Sequence, residues 1–78
     1  MPTVLRVKGY RFFFFSLEGH EPPHIHVESA ERFAKFWLGP VALAKSRGFR
    51  SGELSEIQRL IEENLVLLEG RWHEHFSN

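Results

Sequence analysis

The sequence of 78 residues contains no cysteine, and this absence removes two common ways of stabilising a small domain. Neither a disulfide framework nor a thiolate metal site can form. A chain of this length buries only about 60% of the surface that its unfolded form exposes, so its core is marginal. Further stability must come from aromatic packing, from a histidine or carboxylate metal site, or from oligomerisation. Eight Phe, two Trp and one Tyr make aromatic packing the obvious source.

The sequence also lacks net charge, because ten Lys and Arg residues balance ten acidic residues. This balance argues against the broad positive field of proteins that bind nucleic acids without sequence preference. A local basic patch is still compatible with a total of zero.

Long apolar runs are missing as well. The longest near the N-terminus is Phe12–Phe15, with Arg11 before it and Ser16 after it. It is far too short for a signal peptide or a membrane span, so we expect a cytoplasmic protein. No repeat or low-complexity tract interrupts the sequence, and residues 1–78 are expected to form a single domain.

Runs of β-branched and aromatic residues predict a sheet in the first half of the chain. Val4–Lys8 and Tyr10–Phe15 flank Gly9, which can adopt the positive φ of a tight turn, so we expect a hairpin. Residues 17–23 include Pro22 and Pro23, which favour a loop that delivers an extended chain into the next strand. The further predicted strands are His24–Glu28, Phe33–Leu38 and a weaker fifth at Val41–Ala44.

A long amphipathic helix is predicted over residues 52–76. Ser51 is a suitable N-cap and Glu53 a first-turn acid. Apolar residues then recur at steps of three and four, at Leu54, Ile57, Ile61, Leu65, Leu68, Trp72 and Phe76. Gly70 costs about 1 kcal/mol relative to alanine, but the apolar stripe keeps its phase across it, so we expect the helix to continue.

These elements predict an α+β fold: a small, mostly antiparallel sheet of four or five strands with one long C-terminal helix packed on one face. The helical stripe should pack on Phe12, Phe14, Ile25 and Val27. A helix of about 25 residues is about 37 Å long, whereas short strands span about 17–20 Å, so its last turns should extend beyond the sheet. Trp72 and Phe76 would then need cover from a partner protein or a second copy of the chain.

The segment EPPHIHVE, residues 21–28, contains the most distinctive candidate site. In a strand, Ile25 and Val27 point to one face, while His24 and His26 point to the other, about 6.6 Å apart at Cα. Two imidazoles at this spacing can bind one divalent transition metal ion. A third ligand would have to come from Glu18, His20 or Glu21 in the preceding loop, or from another strand.

Two other interpretations of the histidine pair are open. His24 and His26 could act as acid and base in cleaving RNA, with Lys35 or Arg11 stabilising the charge of the transition state. Alternatively, they lie on an ordinary solvated outer face of the sheet. The sequence does not decide whether the protein is an enzyme.

Aromatic residues are predicted on the same face as the histidines, namely Phe13, Phe15, Phe33 and Trp37. Such a platform can stack nucleic-acid bases. With zero net charge, burial against a protein partner or a second copy is favoured, and Phe33 and Trp37 join Trp72 and Phe76 as candidate partner contacts.

Nearly the whole chain resembles one family. Its stretches MPTVLR, GYRFFFFS, EPPHIHVE, AKFWL and GF, with the helical pattern ELxxIxxxIEENxxLLxxxW, are similar to the short bacterial proteins catalogued as domain of unknown function 4160. The resemblance places Pro22, Pro23, His24 and His26 in the PPHIHV motif of that family, with Gly48, Leu68 and Trp72 matching less specifically. It implies a small stand-alone protein, often encoded beside another small protein, in a toxin-antitoxin or regulatory pair. The resemblance transfers no catalytic residue.

Overall fold

The computed structural model describes residues 3–15 and 20–76 of the chain. Five strands form one antiparallel sheet in chain order: β1 Thr3–Val7, β2 Tyr10–Phe13, β3 His24–Ser29, β4 Arg32–Leu38 and β5 Val41–Arg47. Two helices follow, α1 Ser51–Glu63 and α2 Leu65–Phe76. The expected α+β class is confirmed, and the weakly predicted fifth strand is present and extends to Arg47.

A tight turn joins β1 to β2. Lys8 and Gly9 have φ values of 53° and 82°, and Val7 pairs with Tyr10 across them. Two consecutive residues with positive φ match the twist of a hairpin, which confirms the turn predicted at Gly9. The strand β2 is shorter than expected because its pairing ends at Phe13.

The core lies between one face of the sheet and the helices. Phe12, Val27 and Ala34 stand opposite one another in the register of β2, β3 and β4, and all three are fully buried. The remaining core residues are Tyr10, Phe14, Ile25, Phe36, Leu38, Ile57, Leu60, Ile61, Leu68 and Trp72. The predicted packing of the helical stripe on Phe12, Phe14, Ile25 and Val27 is therefore confirmed, with Leu54 and Leu65 at its margin.

The helical region is divided at Asn64, whereas one continuous helix was expected. The Asn64 side chain donates a hydrogen bond to the Leu60 carbonyl at 2.8 Å, and its backbone N–H contacts both the Leu60 and Ile61 carbonyls at 3.1 Å. An asparagine side chain that competes with the backbone for a carbonyl favours such an interruption. Gly70 lies within α2 without breaking it, as predicted. Within the described residues, neither helix has the length and apolar character needed to cross a membrane.

The expected extension of the last helical turns beyond the sheet is wrong. Trp72 is only 4% exposed, and its ring lies 5.4 Å from Phe14 and 4.1 Å from Phe76. After the break at Asn64, Trp72 of α2 packs on Phe14, just after β2, and on His24, the first residue of β3, so α2 lies on one end of the sheet. Trp72 is thus covered by its own chain, and Phe76 is partly buried beside it.

The start of α1 is fixed to the sheet by Glu53. Its carboxylate accepts a hydrogen bond from the Arg50 backbone N–H at 2.9 Å and pairs with the Arg32 guanidinium on β4. These contacts, the Arg50 N–H first, lower the pKa of Glu53. Arg50 precedes the first helical residue, so the predicted N-cap Ser51 already lies inside α1. Tyr10 makes a second link, because its hydroxyl donates to Glu56 at 3.0 Å.

Gly48, between β5 and α1, provides a test of this junction. It has a φ of 89°, and an added Cβ would lie 2.7 Å from Cγ of Arg32. We expect Gly48→Ala to lower the free energy of unfolding by about 1–3 kcal/mol, since it strains the backbone and displaces Arg32 from Glu53. The matched control is Gly70→Ala, where nothing lies within 4 Å of the added carbon. This control should raise stability by about 0.5–1 kcal/mol in urea denaturation. Equal stability of the two variants would contradict the geometry of the junction.

Candidate functional site

The histidine pair of the PPHIHV motif lies on the central strand. His24 and His26 point away from Ile25 and Val27, as the alternation predicted, but both faces of the strand are buried at this position. His24 has no exposed surface and His26 is 7% exposed. The interpretation of these two rings as part of a solvated outer face is therefore wrong.

Two aromatic rings, one at the end of β2 and one just after it, cover His26. The Phe13 ring stacks on it at 5.5 Å, and the Phe15 ring meets it edge-on at 4.5 Å. His24 lies 5.1 Å away on the same face. His26 is thus part of a cluster of ring side chains formed with Phe13, Phe15 and His24.

His24 is enclosed by two tryptophans. Its ring lies 5.7 Å from Trp37 on β4 and 4.9 Å from Trp72 on α2. Its Nδ1 is 2.9 Å from the Pro22 carbonyl, and since a carbonyl only accepts, Nδ1 carries the hydrogen. This contact fixes the orientation and the tautomer of the ring.

Pro22 and Pro23 have a structural role, because the carbonyl of each accepts a hydrogen bond. The Pro22 carbonyl holds the His24 ring, and the Pro23 carbonyl accepts a hydrogen bond from the Leu38 N–H at 3.0 Å. Because proline has no N–H, the backbone at these two positions has no donor that needs a partner. Only the two carbonyl groups need hydrogen bonds where the loop enters the sheet.

Lys35 is held by an ion pair beside the histidines. Its Nζ lies 2.7 Å from Glu21 Oε1 and 4.6 Å from the centre of the Trp37 ring. The same Glu21 oxygen is 3.8 Å from Nδ1 of His24. The structure thus brings Glu21, His24 and Lys35 together, a grouping that sequence spacing alone could not show.

The predicted metal ligands are only partly assembled. His20 is exposed, Glu21 is paired with Lys35, and Glu18 lies outside the described residues. Within residues 3–15 and 20–76, no three His, Asp or Glu side chains are grouped so that they could hold a metal ion. A divalent ion on His24 and His26, with a third ligand from Glu18, His20, Glu21 or another strand, stays a prediction.

The sheet face opposite the core, here called the outer face, carries two rows of side chains across the strands. In one row the register aligns Arg6, Arg11, Glu28, Phe33 and Arg47, from β1 to β5. In the adjacent row, the register aligns Phe13, His26, Lys35 and Lys45, from β2 to β5. The outer face therefore has five cationic side chains and one carboxylate in these rows.

An open groove of about 420 Å³ lies on the outer face. Three of the four predicted platform residues line it, Phe13, Phe15 and Phe33, whereas Trp37 lies beside His24 and Lys35. The other lining residues are His26, Glu28, Ala30, Glu31, Arg32 and Lys45. Phe15 is 40% exposed, so the aromatic surface is accessible.

The charges around the groove are only partly neutralised. Arg11 pairs with Glu28 at 2.9 Å and covers the Phe13 ring at 4.4 Å. Arg6, Lys45 and Arg47 are exposed and form no ion pair with any residue of the described part of the chain. The predicted fifth strand ended at Ala44, so Lys45 and Arg47 lay outside it. Their spacing of two, continuing the strand Val41–Ala44, was the signal that could have placed them on one face.

Comparison with known proteins identifies one family. A family model described as a domain of unknown function (DUF4160) matches residues 9–73, and this range contains the buried histidines, the groove and most of both helices. No curated protein and no solved structure matches the chain. The match spans well over half of the sequence, and the chain therefore belongs to the family of domain of unknown function 4160.

Proposed function

We propose that this domain is the protein-binding component of a two-protein regulatory pair, of the toxin-antitoxin type, and that its partner adds a strand to β5. The observation that carries the proposal is the exposure of five consecutive residues, Leu43–Arg47, on an edge strand. An edge strand presents unpaired backbone N–H and C=O groups to a partner chain.

The two edges of the sheet differ in how well they are covered. On β1, Val4, Leu5 and Val7 are partly buried and pack against the core. On β5, Leu43 is 43% exposed although it stands opposite the buried Phe36. This difference favours β5 as the edge that accepts a strand, with an apolar partner side chain covering Leu43.

The charges on β5 favour a partner other than a second copy. Lys45 and Arg47 lie on the outer face, so an antiparallel pair of β5 strands would bring four cations to one face. Like charges in adjacent strands are destabilising. A partner strand with acidic side chains on that face and apolar ones on the other complements β5 better.

The surroundings of the histidines support binding over catalysis. His24 is enclosed by aromatic rings, His26 lines the groove with only 7% of its surface exposed, and the Lys35 ammonium is paired with Glu21. A general acid or base needs hydrogen-bond access to its substrate. No contact among the described residues favours RNA cleavage by this pair.

The test is co-expression with the neighbouring small protein that the family resemblance implies, followed by affinity purification. We expect Leu43→Gln to weaken the complex at least about tenfold, because it removes the apolar contact at the added strand. The matched control is Val66→Gln on α2, an aliphatic residue that is 88% exposed and distant from β5. Equal loss in both variants, or none in either, would contradict strand addition at β5. Light scattering of the protein alone should show a monomer, and a dimer lost in Leu43→Gln would assign β5 to self-association instead.

A further inference from the structure

The neutral total charge of the chain hides a strong separation of charge. Residues 1–50, which contain the sheet, carry eight Lys and Arg residues against four Glu. Residues 51–78, which contain both helices, carry two Arg against six Glu. The sheet part is thus +4 and the helical part −4, and a local field depends on this distribution and not on the sum.

The positive charge is concentrated on the outer face. Arg6 on β1 and Arg47 on β5 end the same row, four strand spacings or about 19 Å apart. Lys45 lies in the next row, about 7 Å along β5 from Arg47. These three exposed cations have no carboxylate partner in the described part of the chain, so they can bind anionic groups without breaking an ion pair.

Aromatic side chains lie between these cations. Phe33 stands between Glu28 and Arg47 in the row that Arg6 and Arg47 end, and the exposed Phe15 lines the same groove. A sheet that presents two aromatic rings within a positive field can stack two or three unpaired bases. In a duplex the faces of the bases are already stacked and could not reach the floor of the groove.

We propose that the outer face binds single-stranded nucleic acid, with Phe33 and Phe15 stacking bases and with Arg6, Lys45 and Arg47 contacting phosphates. This activity goes beyond the binding of a protein partner. It uses the outer face, whereas strand addition uses the edge of β5. An acidic partner strand on β5 would also neutralise Lys45 and Arg47, and partner binding would then weaken nucleic-acid binding.

The test measures fluorescence anisotropy of labelled oligonucleotides of about 12 residues, single-stranded RNA and single-stranded DNA in separate arms. Binding should be detectable at low salt. The logarithm of the association constant should fall linearly with the logarithm of the salt concentration, with a slope of about −2, as expected for three phosphate contacts. The RNA and DNA arms then show which polymer is preferred. Duplex DNA of the same sequence and inorganic polyphosphate are the controls, and both should bind at least about tenfold more weakly than the single strands because they offer no unstacked base.

Substitutions on the outer face separate stacking from charge. Phe33→Leu keeps an apolar side chain on β4 but removes the ring, and should weaken binding about tenfold with an unchanged salt slope. Arg47→Gln should reduce the magnitude of the salt slope by about 0.7. Arg71 is an exposed arginine on α2, and Arg71→Gln should leave both the affinity and the salt slope unchanged. Leu43→Gln should weaken partner binding at least about tenfold and leave nucleic-acid binding intact, so the two proposals can fail separately.

Three results would overturn the proposal. One is no binding of either single strand at low salt. The second is equal affinity for polyphosphate or duplex, which would show simple attraction of anions. The third is an equal effect of Arg47→Gln and Arg71→Gln, which would show that the outer face has no special role.

Discussion

Replacing Trp72 with alanine should lower the free energy of unfolding by about 3–5 kcal/mol, because it removes a large ring from a closely packed position. Trp72 contacts Phe14, His24 and Phe76, and it joins α2 to the sheet. Domains of this length have a total stability of about 4–12 kcal/mol, so the variant should lose at least about a quarter of its stability. Urea denaturation followed by far-UV circular dichroism measures the effect without relying on tryptophan fluorescence.

The control for this prediction is Val66→Ala in the same helix. Val66 is exposed, and its truncation should change stability by less than about 0.5 kcal/mol. If Trp72→Ala also costs less than about 1 kcal/mol, α2 does not pack on the end of the sheet as described. In that case Trp72 is again a candidate for direct contact with a partner.

The second large effect is expected at His24. His24→Ala should cost about 2–4 kcal/mol, because it leaves a cavity between Trp37 and Trp72 and removes the donor to the Pro22 carbonyl. The matched control is His20→Ala, an exposed histidine four residues earlier, which should change stability by less than about 0.5 kcal/mol. Thermal and urea denaturation of both variants measure the difference.

If His24 binds a metal ion, a different result is expected. If His24 served mainly as a ligand, a chelator would lower the stability of the unmodified protein about as much as His24→Ala does. If packing is the cause, the chelator has no effect and the variant is still destabilised. Elemental analysis of protein purified without a histidine tag completes this comparison.

The hairpin and the apolar stripe could be predicted from the sequence because both depend on local rules. Gly9 indicated a turn with positive φ, and the spacing from Leu54 to Leu68 indicated which helical face is buried. Alternation along residues 24–28 likewise predicted which side chains share a face. Each of these inferences needs only the period of one element.

The break at Asn64 and the burial of the histidines depend on contacts that no local pattern contains. The apolar stripe keeps its phase across Asn64, so nothing in its spacing marks the competing hydrogen bond to Leu60. Similarly, His24 is buried because Trp72 returns to it from the far end of the chain. The row of cations on the outer face was missed for the same reason, since Arg6 and Arg47 become members of one row only when all five strands are in register.

The strand order of the sheet has a consequence for how quickly the protein folds. Each strand pairs with the one that precedes it in the chain, so every ladder joins residues that are close in sequence. Small loops lose little entropy when they close, and domains dominated by such short-range contacts cross their folding barrier rapidly. The slowest contacts to form should be the distant ones that dock α2, and stopped-flow refolding of Trp72→Ala should therefore reveal how much of the barrier that docking contributes.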